Sequence, residues 1–157
     1  MSYPDPRYFA DSGEPSATFR PVGHAPEIAN PRGTTTHYLA TGESTAGKFG
    51  LYRWEMGPTP SGPDPHFHKT ISESFYILSG TIRLNDGTKW IDGTPGDFLF
   101  VPEGGLHGFK GANRSSMLLM FTPGGPREDY FETLASGAQM SEEDRAEFML
   151  RHDTYWV

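Results

Sequence analysis

Between residues 34 and 122 the chain alternates short apolar runs, rich in β-branched and aromatic residues, with polar turn segments. Asn-Asp-Gly and Asp-Gly-Thr are among the turn signals. No helical period lies between the runs, so the pattern predicts an antiparallel sandwich or barrel rather than a parallel sheet with crossover helices. The predicted strands are TTTHYLAT, KFGLYRWEM, HFH, ESFYILS, TIRL, TKWI, DFLFV, HGFK and SMLLMFT.

The pattern becomes helical after Pro126. The segment REDYFETLAS ends at Gly137, which is a suitable residue just beyond a helix C-terminus. Ser141 and Asp144 resemble a capping box in front of EEDRAEFMLRH. Two short C-terminal helices are therefore expected.

Prolines at positions 4, 6, 15, 21, 26 and 31 exclude a continuous helix or a central strand near the N-terminus. We expect an extended arm there that packs on the protein or exchanges with a partner. The predicted organisation is an arm over residues 1–33, a β-barrel over residues 34–125 and a helical tail over residues 126–157.

Composition narrows the function classes. A chain of 157 residues fits one domain. The net charge is -7 and Lys and Arg form no cluster, so nucleic acid and anionic membranes are not expected partners, whereas a small molecule is. The N-terminus has no apolar signal region, and we expect a cytoplasmic protein.

His66 and His68 are separated by one residue, and positions i and i+2 of a strand project from the same face. Glu73 begins an apolar run, where a buried carboxylate costs roughly several kcal/mol unless it has a partner charge or a metal ion. With no cysteine in the chain, any metal must bind to His and carboxylate ligands.

Two stretches of the sequence resemble the paired motifs of the cupin superfamily. Residues 66 to 80 match the first motif, His-x-His, four residues, Glu, six residues and Gly. Residues 96 to 107 match the second motif, Gly, five residues, Pro-x-Gly, two residues and His. Two positions depart from the family pattern: Pro60 stands where the first motif has Gly, and Gly111 stands where the second motif has Asn. The resemblance covers about residues 50 to 122.

The resemblance implies an all-β jelly-roll barrel that holds one divalent transition metal, which is Fe, Mn, Ni, Co, Cu or Zn; ligand type alone does not choose among these ions. The implied metal ligands are His66, His68, Glu73 and His107. Three other histidines have no partner at ligand spacing and are predicted to lie outside the site: His24, His37 and His152.

Strand parity also suggests a substrate pocket. Phe75 and Ile77 share the strand face of Glu73, and Phe109 shares that of His107, so all three are predicted to line an apolar pocket. Filling of the barrel core explains the same positions equally well. Four further large apolar residues are predicted as core or interface residues: Tyr52, Trp54, Met117 and Met120.

The segment TPGGPREDYFETLASG is similar to the tails of small bacterial cupins of the quercetin dioxygenase-like group. That resemblance implies a homodimeric, metal-dependent dioxygenase of an aromatic or enolisable compound, in which Glu73 also accepts a substrate proton. Two alternatives remain open at this point. One is a redox-neutral isomerase, cyclase, dehydratase or decarboxylase, and the other is a non-catalytic small-molecule-binding protein.

Overall fold

Eleven strands and two helices form within residues 1–30, 34–111 and 114–157, the part of the chain that the computed structural model describes. The nine predicted strands are all present, each within two residues of its expected ends. The strands are β1 (Ile28–Ala29), β2 (Thr35–Ala40), β3 (Gly50–Glu55), β4 (His66–Phe67), β5 (Ser72–Ser79), β6 (Ile82–Asn85), β7 (Trp90–Gly93), β8 (Phe98–Val101), β9 (Gly108–Gly111), β10 (Ser116–Thr122) and β11 (Tyr155–Trp156). The helices are α1 (Arg127–Ala135) and α2 (Glu142–Arg151).

Antiparallel pairing arranges the strands in three sheets. A six-stranded sheet has the order β1-β2-β3-β10-β5-β8, a three-stranded sheet the order β7-β6-β9, and β11 pairs with β4. An isolated bridge joins His66 to His107 and connects the short β4 segment to the start of β9. This arrangement confirms the predicted all-β jelly-roll barrel with two short helices near its C-terminus.

The barrel core follows the two-residue period of the strands. On β5, Phe75 and Ile77 are fully buried, whereas Tyr76 between them is 42% exposed on the outer face. On the neighbouring strand β10, the buried residues are Met117, Leu119 and Phe121. Each such side chain stabilises the fold by roughly 1.5–3 kcal/mol relative to an exposed one.

The C-terminal tail packs against the barrel. Phe131 of α1 contacts the rings of Tyr52 and Trp54, at centroid distances of 5.1 and 5.3 Å. Ser141 caps α2, as predicted, because its hydroxyl accepts a hydrogen bond from the Asp144 N–H at 3.1 Å. After α2 the chain returns to the barrel as β11. No helix of the described residues is long and apolar enough to span a bilayer.

Residues 1–27 contain neither a strand nor a helix. The last part of the predicted arm joins the six-stranded sheet, because β1 pairs with β2. Glu27 anchors this junction: its carboxylate accepts the Tyr38 N–H at 2.8 Å and forms an ion pair with Arg20 at 2.8 Å. Residues 31–33, which were predicted as the end of the arm, lie outside the described residues.

Candidate metal centre

Three histidines and one glutamate converge inside the barrel. His66 lies on β4 and Glu73 on β5, while His68 follows β4 and His107 precedes β9. All four are buried, with 4% or less of their surface exposed. Their candidate ligand atoms all lie within 4.8 Å of one another. The structure therefore brings together the four residues that the motifs implicate.

The histidine rings are oriented by the backbone. In each ring Nδ1 lies within hydrogen-bond distance of a carbonyl oxygen, to which it can donate. The pairs are His66 with Asp64 at 2.9 Å, His68 with Asp153 at 2.5 Å and His107 with Gly105 at 2.8 Å. Nε2 is then the nitrogen that faces the cluster; in His68 and His107 it lies against Glu73, and a metal ion would take the place of the proton shared there.

Glu73 lies at the centre of this group. Its Oε2 is 3.2 Å from Nε2 of His68 and 2.7 Å from Nε2 of His107. Burial alone would raise the pKa of the Glu73 carboxyl, but the hydrogen bonds from His107 and His68 outweigh burial and hold that pKa well below its usual range. Glu73 is therefore an anion at neutral pH.

The ring of His66 is neutral at pH 7, because burial lowers its pKa to about 4. For His107, burial acts in the same direction, but the Glu73 carboxylate raises the pKa of the ring overall. Neutral imidazole and carboxylate groups without sulfur suit divalent first-row metals. The buried cluster of three histidines and Glu73 can therefore bind a metal ion, and its donor atoms fit the cation that the motifs imply.

A cavity of about 390 Å³ adjoins the cluster and is lined by both His66 and Glu73. Aromatic residues make up much of the remaining wall. They are Trp54, Phe109, Phe121, Tyr130, Phe131 and Trp156. A volume of this size with apolar walls and a few polar groups suits a small organic molecule.

The three residues predicted to line the pocket differ in their placement. Phe109 lines the cavity, whereas Phe75 and Ile77 are fully buried and are not among the lining residues. Parity directs all of them inward, but each two-residue step along β5 moves about 6.6 Å away from Glu73. The structure places Phe75 and Ile77 in the core and not in the cavity wall.

Much of the wall comes from the C-terminal tail, which the motif resemblance does not cover. Arg127, Tyr130 and Phe131 belong to α1, and Trp156 belongs to β11. The ring of Trp156 lies 5.1 Å from that of His66. No sequence signal assigns these residues to the site, because their contacts with the barrel are distant along the chain.

Asp153 is a further residue that the sequence does not reveal. Its carboxylate accepts the backbone N–H groups of Lys69 and Thr70 at 3.0 and 2.8 Å. Its carbonyl accepts from the ring of His68. The tail thus fixes the loop that connects His68 to Glu73.

Gly111, one of the departures from the motif, has a steric explanation. A Cβ atom built at this position would lie 2.6 Å from Cγ of the buried Met56. A side chain such as the asparagine of the family would therefore require Met56 to move. Pro60, the other departure, is exposed in the loop before β4.

Residues 52–122 match the family profile described as the cupin domain. Among curated proteins, the chain is 32% identical over 102 residues to quercetin 2,3-dioxygenase from Bacillus subtilis (strain 168). That match covers 61% of this chain but only 28% of the dioxygenase.

Solved structures show the same barrel. A predicted oxalate decarboxylase from Thermotoga maritima is 25% identical, with a TM-score of 0.58, and the match covers 68% of this chain and 99% of that one. KdgF from Halomonas sp. is 18% identical, with a TM-score of 0.56 and coverage of 68% and 93%. At 18% identity the likeness to KdgF concerns the fold alone.

Proposed function

Because the chain is a small protein of the cupin superfamily, we propose that it is a metal-dependent dioxygenase of an aromatic or enolisable small molecule. The observation that carries the proposal is the buried donor set of three histidines and Glu73, which opens onto an apolar, aromatic cavity. The quercetin dioxygenase of Bacillus subtilis supports the choice of an oxygenase.

The metal ion would be held by Nε2 of the three histidines and by the Glu73 carboxylate. When bound, it supplies a Lewis acid and, if redox-active, a route for electrons between the substrate and O2. Both contacts of Glu73 with histidine use Oε2. Oε1 is therefore the atom that we assign to accept the substrate proton, which produces an electron-rich substrate anion.

The aromatic walls bind the substrate and exclude water. Among the described residues, the cavity wall includes the ring of Phe109 and the indole of Trp54, which pack edge to face at 5.9 Å. In a dioxygenation both atoms of O2 enter the product and the substrate supplies the electrons. No external reductant is then required.

A redox-neutral reaction is the second candidate. The structure described as a predicted oxalate decarboxylase shares 25% of its residues with this chain over 99% of its own length. In that case Glu73 would shuttle a proton without any oxygen chemistry. A non-catalytic binding protein would use the same cavity without turnover.

Oxygen uptake separates these functions. The protein is purified without added metal, analysed for bound metal, and reconstituted separately with Fe(II), Mn(II), Ni(II), Co(II), Cu(II) and Zn(II). Each sample is mixed with quercetin and with smaller enolisable aromatic compounds. We expect one O2 consumed per molecule of substrate with at least one metal.

Glu73→Gln is the matched variant, because it keeps the size of the side chain and removes the proton acceptor. We expect turnover to fall about 100-fold or more, with substrate binding retained. Product formation in anaerobic samples would instead identify the redox-neutral reaction. Substrate binding without any turnover would identify a binding protein, and absence of metal after reconstitution would contradict the metal centre itself.

A further inference from the structure

Arg127 is a buried cation in the cavity wall. It is the first residue of α1, is 5% exposed and lines the same cavity as Glu73. Its guanidinium carbon lies 4.3, 4.9 and 5.6 Å from the ring centroids of three other lining residues: Tyr130, Phe121 and Phe131. The guanidinium is therefore surrounded by the aromatic rings of the cavity.

The hydrogen-bonding capacity of Arg127 is only partly used. Nη1 donates to the carbonyl of His152 at 2.7 Å. Nε is buried and has no hydrogen-bond partner among the residues that the structure describes. A guanidinium carries five N–H donors, and burying donors without acceptors is unfavourable.

The charge of Arg127 is only partly offset, because Glu73 attracts it without a direct ion pair. Two carboxylates line the cavity, and both are already paired: Glu73 with two histidines, and Asp64 with Lys110 at 2.8 Å. No ion pair of Arg127 is found within the described ranges. Burial lowers the pKa of Arg127, but an arginine remains charged at neutral pH. A buried cation without a directly bound anion remains costly, and an anion in the cavity would offset that cost.

We propose that Arg127 binds a carboxylate of the substrate, so that the substrate class is an aromatic or enolisable carboxylate. This rests on the proposed function in taking the cavity as the place where a small substrate binds. The planar fork of the guanidinium matches a carboxylate in geometry and charge, and the surrounding rings accommodate an apolar body.

The position of Arg127 relative to Glu73 suits a two-point attachment. Phe121, on which the guanidinium packs, is the direct cross-strand partner of Glu73 in the pairing of β10 with β5. A carboxylate on Arg127 would therefore hold the rest of the molecule in the cavity that Glu73 also lines. Arg127 is thus assigned to substrate orientation, on an element outside the barrel.

A purely structural role makes a different prediction. Arg127 also holds the end of α2 through the carbonyl of His152 and stacks on three rings. If that were its only role, substitution would alter stability and leave the preference for carboxylate ligands unchanged. The test must therefore measure ligand charge preference and folding separately.

Binding of sodium benzoate, benzamide and inorganic phosphate to metal-free protein provides this test. Isothermal titration calorimetry gives the affinities, and the Nε–H signal of Arg127 in ¹H–¹⁵N spectra reports changes around the guanidinium. We expect the wild type to bind benzoate at least about 10-fold more tightly than benzamide or phosphate, and benzoate to shift the Nε–H signal. Equal binding of benzoate and benzamide, or of benzoate and phosphate, would overturn the proposal.

Arg127→Met removes the charge while keeping an apolar side chain between the rings. We expect benzoate affinity to fall about 10- to 100-fold with benzamide affinity unchanged. Arg145→Met is the matched control, since Arg145 lines the same cavity but is exposed, and we expect a change of about twofold or less. Wild-type benzoate affinity in folded Arg127→Met protein would refute the assignment.

If Arg127→Met does not fold, Arg127→Lys serves instead, because it keeps the charge and loses the fork. It should retain the preference for benzoate over benzamide with weaker affinity; an unchanged benzoate affinity would count against the assignment. Since these measurements use neither metal nor O2, a protein without dioxygenase activity can still pass them. An active dioxygenase can equally fail them, so the two proposals are tested separately.

Discussion

At the scale of single residues, the candidate metal centre depends on backbone groups as much as on side chains. The Nδ1 atoms of the three histidines all lie beside carbonyl oxygens, which orients each ring before a metal binds. The carbonyls belong to Asp64 and Gly105, which lie in loops of the barrel, and to Asp153 of the tail. The site is therefore pre-organised by the fold, which reduces the cost of binding an ion.

Removal of one ligand tests this centre directly. We expect His107→Ala to weaken metal binding about 100-fold or more, because loss of a supporting group alone costs 10- to 100-fold and here a ligand is lost. Metal content per chain after dialysis, measured by inductively coupled plasma mass spectrometry, checks this. His37→Ala is the control, since His37 is also buried but lies outside the cluster. Full occupancy in the His107 variant would contradict the ligand assignment.

Sequence alone identified the convergence of His66 and His68, because strand parity fixes their common face. Strand parity also predicted that Phe75 and Ile77 point inward, but it left open whether they fill the core or line a pocket, since parity gives direction but not depth along the strand. Arg127 gave no signal at all, because an arginine in the first turn of a helix is usually solvated. Its burial results from contacts with the barrel that no local pattern records.

At the scale of elements, the tail is part of the site. β11 pairs with β4 and carries Trp156 to the ring of His66, and α1 supplies Arg127 to the cavity. The loop between His68 and Glu73 is held by the side chain of Asp153. The barrel positions the ligands, whereas the tail covers the cavity and fixes that loop.

The contribution of the tail is tested by Asp153→Asn. Asparagine tolerates the positive φ of +51° at this position but cannot supply a charged acceptor to Lys69 and Thr70. We expect the free energy of unfolding to fall by about 1–2 kcal/mol and metal affinity to fall about 10-fold. Urea denaturation and competition with a metal indicator measure the two effects.

The matched control is Asp144→Asn, which changes an acid of the tail at the start of α2, away from the metal centre. It should alter stability slightly and leave metal affinity unchanged. If Asp153→Asn lowers stability without any loss of metal affinity, the tail supports the fold but not the site.

The longer strands were predictable because alternation over four or more residues is a strong signal. β1 and β11 were not predicted, since each has two residues, lacks a motif like the His-x-His of β4, and forms only through pairing with a distant partner. The capping residue Ser141 was correctly predicted, because the interaction is local. Predictability of an element thus depends on whether its cause lies within the segment or elsewhere in the chain.

At the scale of the whole molecule, apolar residues are uncovered at the N-terminal segment and at one edge of the six-stranded sheet. The N-terminal segment exposes Phe9 and Phe19, which are 85% and 88% accessible. The edge strand β8 exposes Phe98 and Phe100 on the outer face of the six-stranded sheet, at 61% and 57%. An uncovered, apolar sheet edge is a recognised site of association. A second copy of the chain offers an apolar partner for both surfaces.

We therefore propose that the protein is a homodimer in which the N-terminal segment of one chain covers the outer face of β8 in its partner. Light scattering coupled to size-exclusion chromatography should give twice the monomer mass. Deletion of residues 1–19, which spares the ion pair between Arg20 and Glu27, and the double change Phe98→Ser with Phe100→Ser should each yield monomers. Leu150→Ser, which changes an exposed residue of α2, should remain dimeric.

A monomeric wild type would refute the dimer. If only the deletion variant stays dimeric, the two sheet faces pack directly and the segment is not exchanged.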